Sequence, residues 1–276
     1  LASKNNIACY VRSQLPTFIL SRSMGPAGVG LYNKAESLAA RPHGFITGSV
    51  YEVLFRALAK EQGNLDKSRY LFFRSLTLVA VYALPFYVGF LWLAKPLVVT
   101  LFGHRWADSA TPLVILSFAA PMMMIENLSG AVLAARSWLG KELIAQLIVI
   151  ALATAAILVG LTYGMNGVAA GMVVARLYMS IHMFVLAKLS LKARWIDLAT
   201  AFIPAALLNS ILLGTLWLVD RFIPPSLQSV DALYVLLMAT IGGLIYTLCF
   251  LYLPIPALVA ETTRWKIKLK LAKATA

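Results

Sequence analysis

Long apolar segments alternate with short polar gaps along this chain, and the pattern predicts a bundle of membrane-spanning helices. A run of about 20 apolar residues crosses a hydrocarbon core of about 30 Å as a helix, and a helix satisfies its backbone hydrogen bonds internally. About eight such spans are predicted, so the expected fold is an all-α, polytopic membrane helix bundle. They lie near residues 4–24, 31–59, 72–94, 110–134, 142–162, 164–187, 195–219 and 231–253.

Basic residues are concentrated in alternate gaps between these spans. The gaps after the second, fourth and sixth spans and the C-terminal tail are rich in Lys and Arg, whereas the gaps between them are poor. Because short basic loops stay in the cytoplasm, the pattern predicts that both ends of the chain are cytoplasmic. The most basic gap, after the second span, contains Arg56, Lys60, Lys67, Arg69 and Arg74.

Composition supports a membrane protein and explains its excess of positive charge. The chain is 61% hydrophobic and 13% charged, with a formal net charge of +13. Since this charge lies in the predicted cytoplasmic loops, anionic membrane lipids are the expected partner and nucleic acid is not. The basic segment 264–270 is predicted to lie on the inner membrane surface. Cys9 and Cys249 both fall within spans, so we expect no disulfide, metal site or cofactor.

The first two spans are much more polar than the other six. The first contains Arg12, Ser13, Gln14, Thr17 and Ser21. A helix face with these side chains is expected to line protein or water, because lipid cannot hydrogen-bond to them.

Charged residues within the second span share one helix face. Lys34, Arg41 and Glu52 are separated by 7 and 11 residues, which places them within roughly 20° of one another on a helix. Intramembrane charges of this kind predict a functional surface. For Lys34 the alternative is that its long side chain reaches the membrane interface.

Arg176 lies near the middle of the sixth span, about 12 residues from either end, so we expect it to face a wet cavity or an acidic partner. Glu126 in the fourth span is the best candidate for that partner, and the alternative is that Glu126 binds a coupling ion. A cavity containing Arg41 and Arg176, with Lys34 or Arg12, would attract an anion such as phosphate, to which Arg donates two parallel hydrogen bonds.

Several motifs resemble those of bacterial polysaccharide flippases, the Wzx-type exporters of the MATE-like MOP superfamily. Residues 25–35, GPAGVGLYNKA, match that family's pattern G-x-x-x-(L/V)-G-x-Y-x-x-A. The likeness continues through 53–59, the Leu-Pro pair at 84–85, and 101–106, and it ends most clearly at 164–171, GMNGVAAG. Residues 195–276 match only in hydropathy.

Two positions depart from the family pattern. The family usually has an acidic residue near Pro16 or Thr17, and it usually has Pro where Arg56 stands. The first departure puts a coupling role of the first helix in question.

The resemblance implies a fold of two six-helix bundles, often followed by two further helices. In that scheme 1–190 is the second bundle, 191–260 is the additional helix pair and 261–276 is a basic cytoplasmic tail. We therefore expect this chain, which begins at Leu1 without an initiator Met, to be a fragment whose first lobe is missing.

The resemblance also implies a function in the bacterial inner membrane. The cargo would be an undecaprenyl-diphosphate oligosaccharide, moved from the cytoplasmic to the periplasmic leaflet without enzymatic chemistry. Arg41 and Arg176, with Lys34 and Arg12, would bind the head group. Glu126, and second to it Glu52, would respond to a proton or sodium gradient.

Three alternatives remain open at this stage. One is a multidrug exporter of the same superfamily, whose cavity should be dominated by carboxylates. Another is a membrane glycosyltransferase, polymerase or ligase, although His104 and Asp108 are the only catalytic candidates in the longer outer gaps, 96–109 and 220–230. The third is a remnant that does not transport.

Overall fold

The computed structural model describes residues 2–271, and every regular element in that range is a helix. The all-α prediction is therefore confirmed, and each predicted span coincides with one helix or, for the fourth, with a helix pair. Residue 1 and residues 272–276, the end of the predicted basic tail, lie outside the described part. The α-helices are α1 Ala2–Ser23, α2 Gly25–Lys60, α3 Leu65–Phe102, α4 Ala110–Ser117, α5 Ala120–Ala135, α6 Leu139–Gly160, α7 Gly164–Leu191, α8 Trp195–Phe222, α9 Pro225–Gln228, α10 Asp231–Tyr252 and α11 Val259–Lys268.

Local sequence explains where α3 begins and ends. Asn64 caps its first turn, because the side-chain oxygen accepts a hydrogen bond from the backbone N–H of Lys67 at 3.0 Å. Gly103 ends the helix with a φ of +89°, a conformation that side chains with a Cβ rarely adopt. The helix is longer than its predicted span, 72–94, because a polar segment, 65–71, precedes that span and a largely apolar segment, 95–102, continues it.

The fourth span is bent rather than continuous. The helical segment that ends with α4 and the following α5 meet at an angle of 53°. Pro121 stands in the first turn of α5, where its missing N–H leaves no helical hydrogen bond unmade. Pro16, Pro42 and Pro85 lie inside helices.

Small residues allow α6 and α7 to pack as a tight hairpin. A Cβ on Gly171 would lie 2.6 Å from the carbonyl oxygen of Ala156, and a Cβ on Gly160 would overlap the carbonyl of Gly167. Gly164 instead makes the turn, with a φ of +67°. Close contact between the two helices therefore requires glycine at Gly160, Gly167 and Gly171.

Length and composition identify four membrane-crossing segments among the described residues, or five when the bent pair is included. The eight predicted spans exceed that number for two reasons. The 53-residue segment Leu139–Leu191 counts once, although the hairpin turn divides it into α6 and α7. In addition, α1 and α2 are too polar to qualify by composition.

The core of the bundle surrounds α3, which contacts both the preceding and the following helices. Tyr87 of α3 donates a hydrogen bond to the carbonyl of Ala39 in α2 at 2.9 Å. Thr77 donates to the carbonyl of Ala201 in α8 at 2.9 Å. Helix α10 also packs on α3, where the hydroxyl of Tyr246 donates a hydrogen bond to the carbonyl of Val81.

Candidate functional site

A cavity of about 430 Å³ opens between α1, α2, α4, α5 and α7. We call it the polar cavity, because most of its lining side chains are hydroxyls, amides or charged groups. Leu116 of α4 and Met123 of α5 form its apolar wall. Its polar side chains are Ser13, Gln14 and Thr17 of α1, Asn33, Glu36 and Ser37 of α2, and Arg176 of α7.

Helical spacing brings these side chains to one place. On α2, residues 33, 36, 37 and 40 recur at the three- and four-residue intervals of a single helix face, and all four line the cavity. The hydroxyl of Thr17 donates a hydrogen bond to Oδ1 of Asn33 at 3.0 Å. This bond joins α1 to α2 at the cavity wall.

Arg176 is the cation of the polar cavity. It is half-buried, and its guanidinium comes within 4.0 Å of no carboxylate oxygen in the described part of the chain. The half-buried Glu36 is the acidic residue of the same lining. Arg176 thus occupies the first of its two expected environments, a polar cavity, without a direct acidic partner.

Glu126 is paired with Arg12, and the pairing with Arg176 that the sequence left open does not form. Nη2 of Arg12 lies 2.5 Å from Oε1 of Glu126, and the two side chains are 10% and 13% exposed. The pair links α1 to α5. Arg12 points into the bundle, one helix position away from Ser13, so this expected anion ligand lies outside the lining of the polar cavity.

The other residues of the predicted charged stripe do not come together with Arg176. Arg41 is exposed on α2 and lies one turn beyond Ser37, outside the cavity lining. Glu52 forms an exposed ion pair with Arg56 at 3.2 Å, and their side chains are 70% and 77% exposed. The charges of this stripe therefore lie at different heights of α2 and in different environments.

Lys34 has a separate environment made by aromatic rings. Its Nζ lies 4.6 Å from the ring centroid of Phe102 and 5.2 Å from that of Trp106. These distances are typical of cation–π contacts. Lys34 thus contacts the end of α3 and the turn that follows it.

The sequence prediction missed Glu36, although a signal for it was present. The intervals between Lys34, Arg41 and Glu52 selected one face of α2, whereas Asn33, Glu36 and Ser37 define the neighbouring face. A polar i, i+3, i+4 pattern would have found it. Among residues 2–271 no three His, Cys, Asp or Glu side chains are grouped in a way that could hold a metal ion.

A second, apolar cavity of about 440 Å³ lies between α3, α8 and α10. Its lining includes Pro85, Phe90, Leu212, Met238 and Gly242. It shares no lining residue with the polar cavity, because the two lie on different sides of the bundle.

Part of this sequence is similar to known proteins. Residues 2–111 match the model of a family described as "Polysaccharide biosynthesis protein". An uncharacterized membrane protein in the cps region of Klebsiella pneumoniae is 32% identical over 133 residues, which are 48% of this chain and 27% of that protein. Lipopolysaccharide biosynthesis protein WzxC of Escherichia coli (strain K12) is 28% identical over the same shares of the two chains.

A solved structure extends the likeness to nearly the whole chain. The lipid II flippase MurJ, in an inward closed conformation, superposes with a TM-score of 0.71 at 17% identity, covering 98% of this chain and 52% of that one. At this identity the likeness concerns the fold. It includes α8 and α10, which lie beyond the last of the sequence motifs, at residues 164–171. The chain spans about a quarter of the two curated relatives and about half of MurJ. The chain is therefore similar over residues 2–111 to a family of polysaccharide biosynthesis proteins, and nearly the whole of it shares the fold of MurJ.

Proposed function

We propose that this chain is one lobe of a flippase that moves an undecaprenyl-diphosphate oligosaccharide from the cytoplasmic to the periplasmic leaflet of the bacterial inner membrane. The observation that carries the proposal is Arg176, a cation in a polar intramembrane cavity without a direct acidic partner. An intramembrane charge is costly, and an anionic head group would compensate it. The names of two similar proteins, a lipopolysaccharide biosynthesis protein and a lipid II flippase, support this cargo class.

The chemistry of the polar cavity suits a phosphorylated sugar. The planar guanidinium of Arg176 can donate two parallel hydrogen bonds to a diphosphate. Gln14, Asn33 and Ser37 carry donors and acceptors that match sugar hydroxyls. The carboxylate of Glu36 can accept hydrogen bonds from sugar hydroxyls. Its negative charge lies in the same cavity as the positive charge of Arg176.

The exposed sides of α1 and α2 are where we place the missing first lobe. Ser13, Gln14, Ser37 and Arg41 are exposed, and polar groups at membrane depth require protein or water as neighbours. Alternating access needs two lobes around a central site, and this chain covers about half of MurJ. In the proposed whole protein, Arg41 lies between the lobes and contributes to head-group binding, beside Arg176.

Glu126 is the coupling residue that we propose. The Arg12–Glu126 pair bridges α1 and α5, and protonation of Glu126 would release Arg12 and loosen the contact between these helices. Glu52 is less suited to this role, because its exposed pair with Arg56 joins two residues of the same helix and holds no two helices together.

The presence of Glu36 in the cavity favours one alternative function, a multidrug exporter of the same superfamily. Its carboxylate and the guanidinium of Arg176 give the lining one charge of each sign, so the cavity is less cationic than the sequence suggested. A cationic drug would bind to Glu36 and be repelled by Arg176, whereas a diphosphate would show the opposite preference.

Complementation tests the proposal. The full-length gene is expressed in a bacterium lacking its own flippase, and surface polysaccharide is measured together with resistance to cationic drugs. We expect restored polysaccharide, its loss in Arg176→Ala and partial retention in Arg176→Lys. Arg221→Ala, an exposed cation at the end of α8, is the matched control. Full export by Arg176→Ala at normal membrane levels would refute the role of Arg176, and drug resistance that depends on Glu36 would favour the exporter.

A further inference from the structure

The C-terminal helix α11 is fixed to the bundle through a specific polar contact. Nε1 of Trp265 donates a hydrogen bond to the hydroxyl of Tyr82 in α3 at 2.7 Å. The same hydroxyl donates to Oε1 of Glu261 at 3.0 Å. Leu258 and Thr262 are buried beside this contact. Helix α11 is therefore a docked part of the fold, with a defined inner face.

The rest of α11 is basic and apolar. Its acidic residue, Glu261, accepts the hydrogen bond from Tyr82. The charged groups of α11 that remain available to a ligand are therefore Arg264, Lys266 and Lys268. Val259 and Ile267 are 55% and 36% exposed. A helix with exposed apolar residues flanked by cations is typical of one that lies at a membrane surface.

Aromatic rings hold two of these cations in place. Nζ of Lys266 lies 5.0 Å from the ring centroid of Tyr252, and Nζ of Lys268 lies 5.0 Å from that of Trp265. Neither contact uses the ammonium hydrogen-bond donors, which remain available for an anion.

A crevice of about 720 Å³ lies next to α11, between the N-terminal third of α3 and the first turns of α8. Arg69 and Arg74 of α3 line it, together with Tyr70, Thr200, Ala257 and Ala260. Arg74 donates to the carbonyl of Ala257, in the segment just before α11. The crevice therefore adjoins α11, and its charged lining consists of these two arginines and two acids, Asp66 and Asp197.

The two arginines retain donors after their contacts within the protein. Nε of Arg69 donates to the carbonyl of Leu191 at 3.3 Å, and its ion-pair partner Asp66 is distant, at 3.6 Å, and 93% exposed. The other acid of the crevice, Asp197, accepts from the backbone N–H of Arg194 at 2.8 Å. Since each guanidinium carries five N–H donors, several remain for a ligand.

We propose that this crevice and α11 bind the phosphate head group of an anionic phospholipid. The site lies where α3 and α8 begin and α10 ends, the side predicted to be cytoplasmic, and its exposed apolar residues are positioned to contact acyl chains. It shares no lining residue with the polar cavity, so the ligand is a membrane lipid distinct from the transported cargo. Each basic residue near such a surface contributes about fivefold to the affinity.

Native mass spectrometry of the delipidated full-length protein tests this site. Phosphatidylglycerol and phosphatidylethanolamine are titrated separately, and we expect the anionic lipid to bind at least about tenfold more tightly. Arg74→Gln and Lys268→Gln should each weaken phosphatidylglycerol binding about fivefold. Arg221→Gln, an exposed cation at the opposite end of α8, should leave it unchanged. Lys268 is exposed, so its variant reports on the site even if Arg74→Gln fails to fold.

Three results would overturn the proposal. Equal binding of the two phospholipids would remove the preference for an anion. Displacement of phosphatidylglycerol by millimolar inorganic phosphate would mean that the site recognises free phosphate. Tighter binding of undecaprenyl diphosphate, lost in Lys268→Gln, would assign the crevice to the cargo.

Discussion

Replacing Glu126 with Met removes the carboxylate of the buried ion pair and leaves the guanidinium of Arg12 without a counter-charge. The two side chains are only 13% and 10% exposed, so water compensates little of that charge. A guanidinium cannot neutralise itself by losing a proton. We therefore expect Glu126→Met to lower the free energy of unfolding by about 3–5 kcal/mol.

The magnitude follows from the geometry of the pair. Two charges about 4 Å apart attract by about 4 kcal/mol at an effective dielectric of about 20. Desolvation of both groups offsets much of this attraction in the intact protein, so the pair itself contributes little net stability. Removing both charges should consequently cost less than removing one. We expect Arg12→Met combined with Glu126→Met to lie within about 1.5 kcal/mol of the unmodified protein.

A double-mutant cycle measures this difference. The full-length protein and its variants are unfolded with SDS in mixed micelles, and tryptophan fluorescence follows the transition. Arg12→Met alone should cost less than Glu126→Met, because an unpaired carboxyl can become neutral by binding a proton. Glu52→Met, which breaks an exposed pair, is the matched control and should change stability by less than about 0.5 kcal/mol. Additive effects of the two single substitutions would refute the coupling between Arg12 and Glu126.

The remaining predictions concern transport, helix packing and the attachment of α11 to α3. Glu126→Gln should abolish the dependence of export on the ion gradient, measured in vesicles, and an unchanged dependence would exclude Glu126 from coupling. Gly171→Ala should cost about 1–3 kcal/mol, because its Cβ would lie 2.6 Å from a backbone oxygen of α6. Gly243→Ala, with open space around it, should be nearly neutral. Tyr82→Phe removes two hydrogen bonds to α11 and should cost about 1–3 kcal/mol, with faster hydrogen exchange confined to 259–268.

The apolar pattern by itself determined where the helices lie. A segment of about 20 apolar residues has one stable form in a bilayer, a helix, because lipid cannot satisfy its backbone groups. For this reason the seventh span, predicted at 195–219, and α8, Trp195–Phe222, nearly coincide. The glycines of α6 and α7 were also predictable, since close helix contact requires small residues at regular intervals.

Only the tertiary structure decided which charges meet. Arg176 and Glu126 were compatible in depth, yet Glu126 is bonded to Arg12 and Arg176 lines a cavity with Glu36. The helical periodicity of the sequence indicates which residues share a face of one helix. The rotation and depth of the neighbouring helices decide what that face contacts. These depend on the packing of all helices at once, so residues far apart in sequence, such as Tyr82 and Trp265, become partners only in the folded bundle.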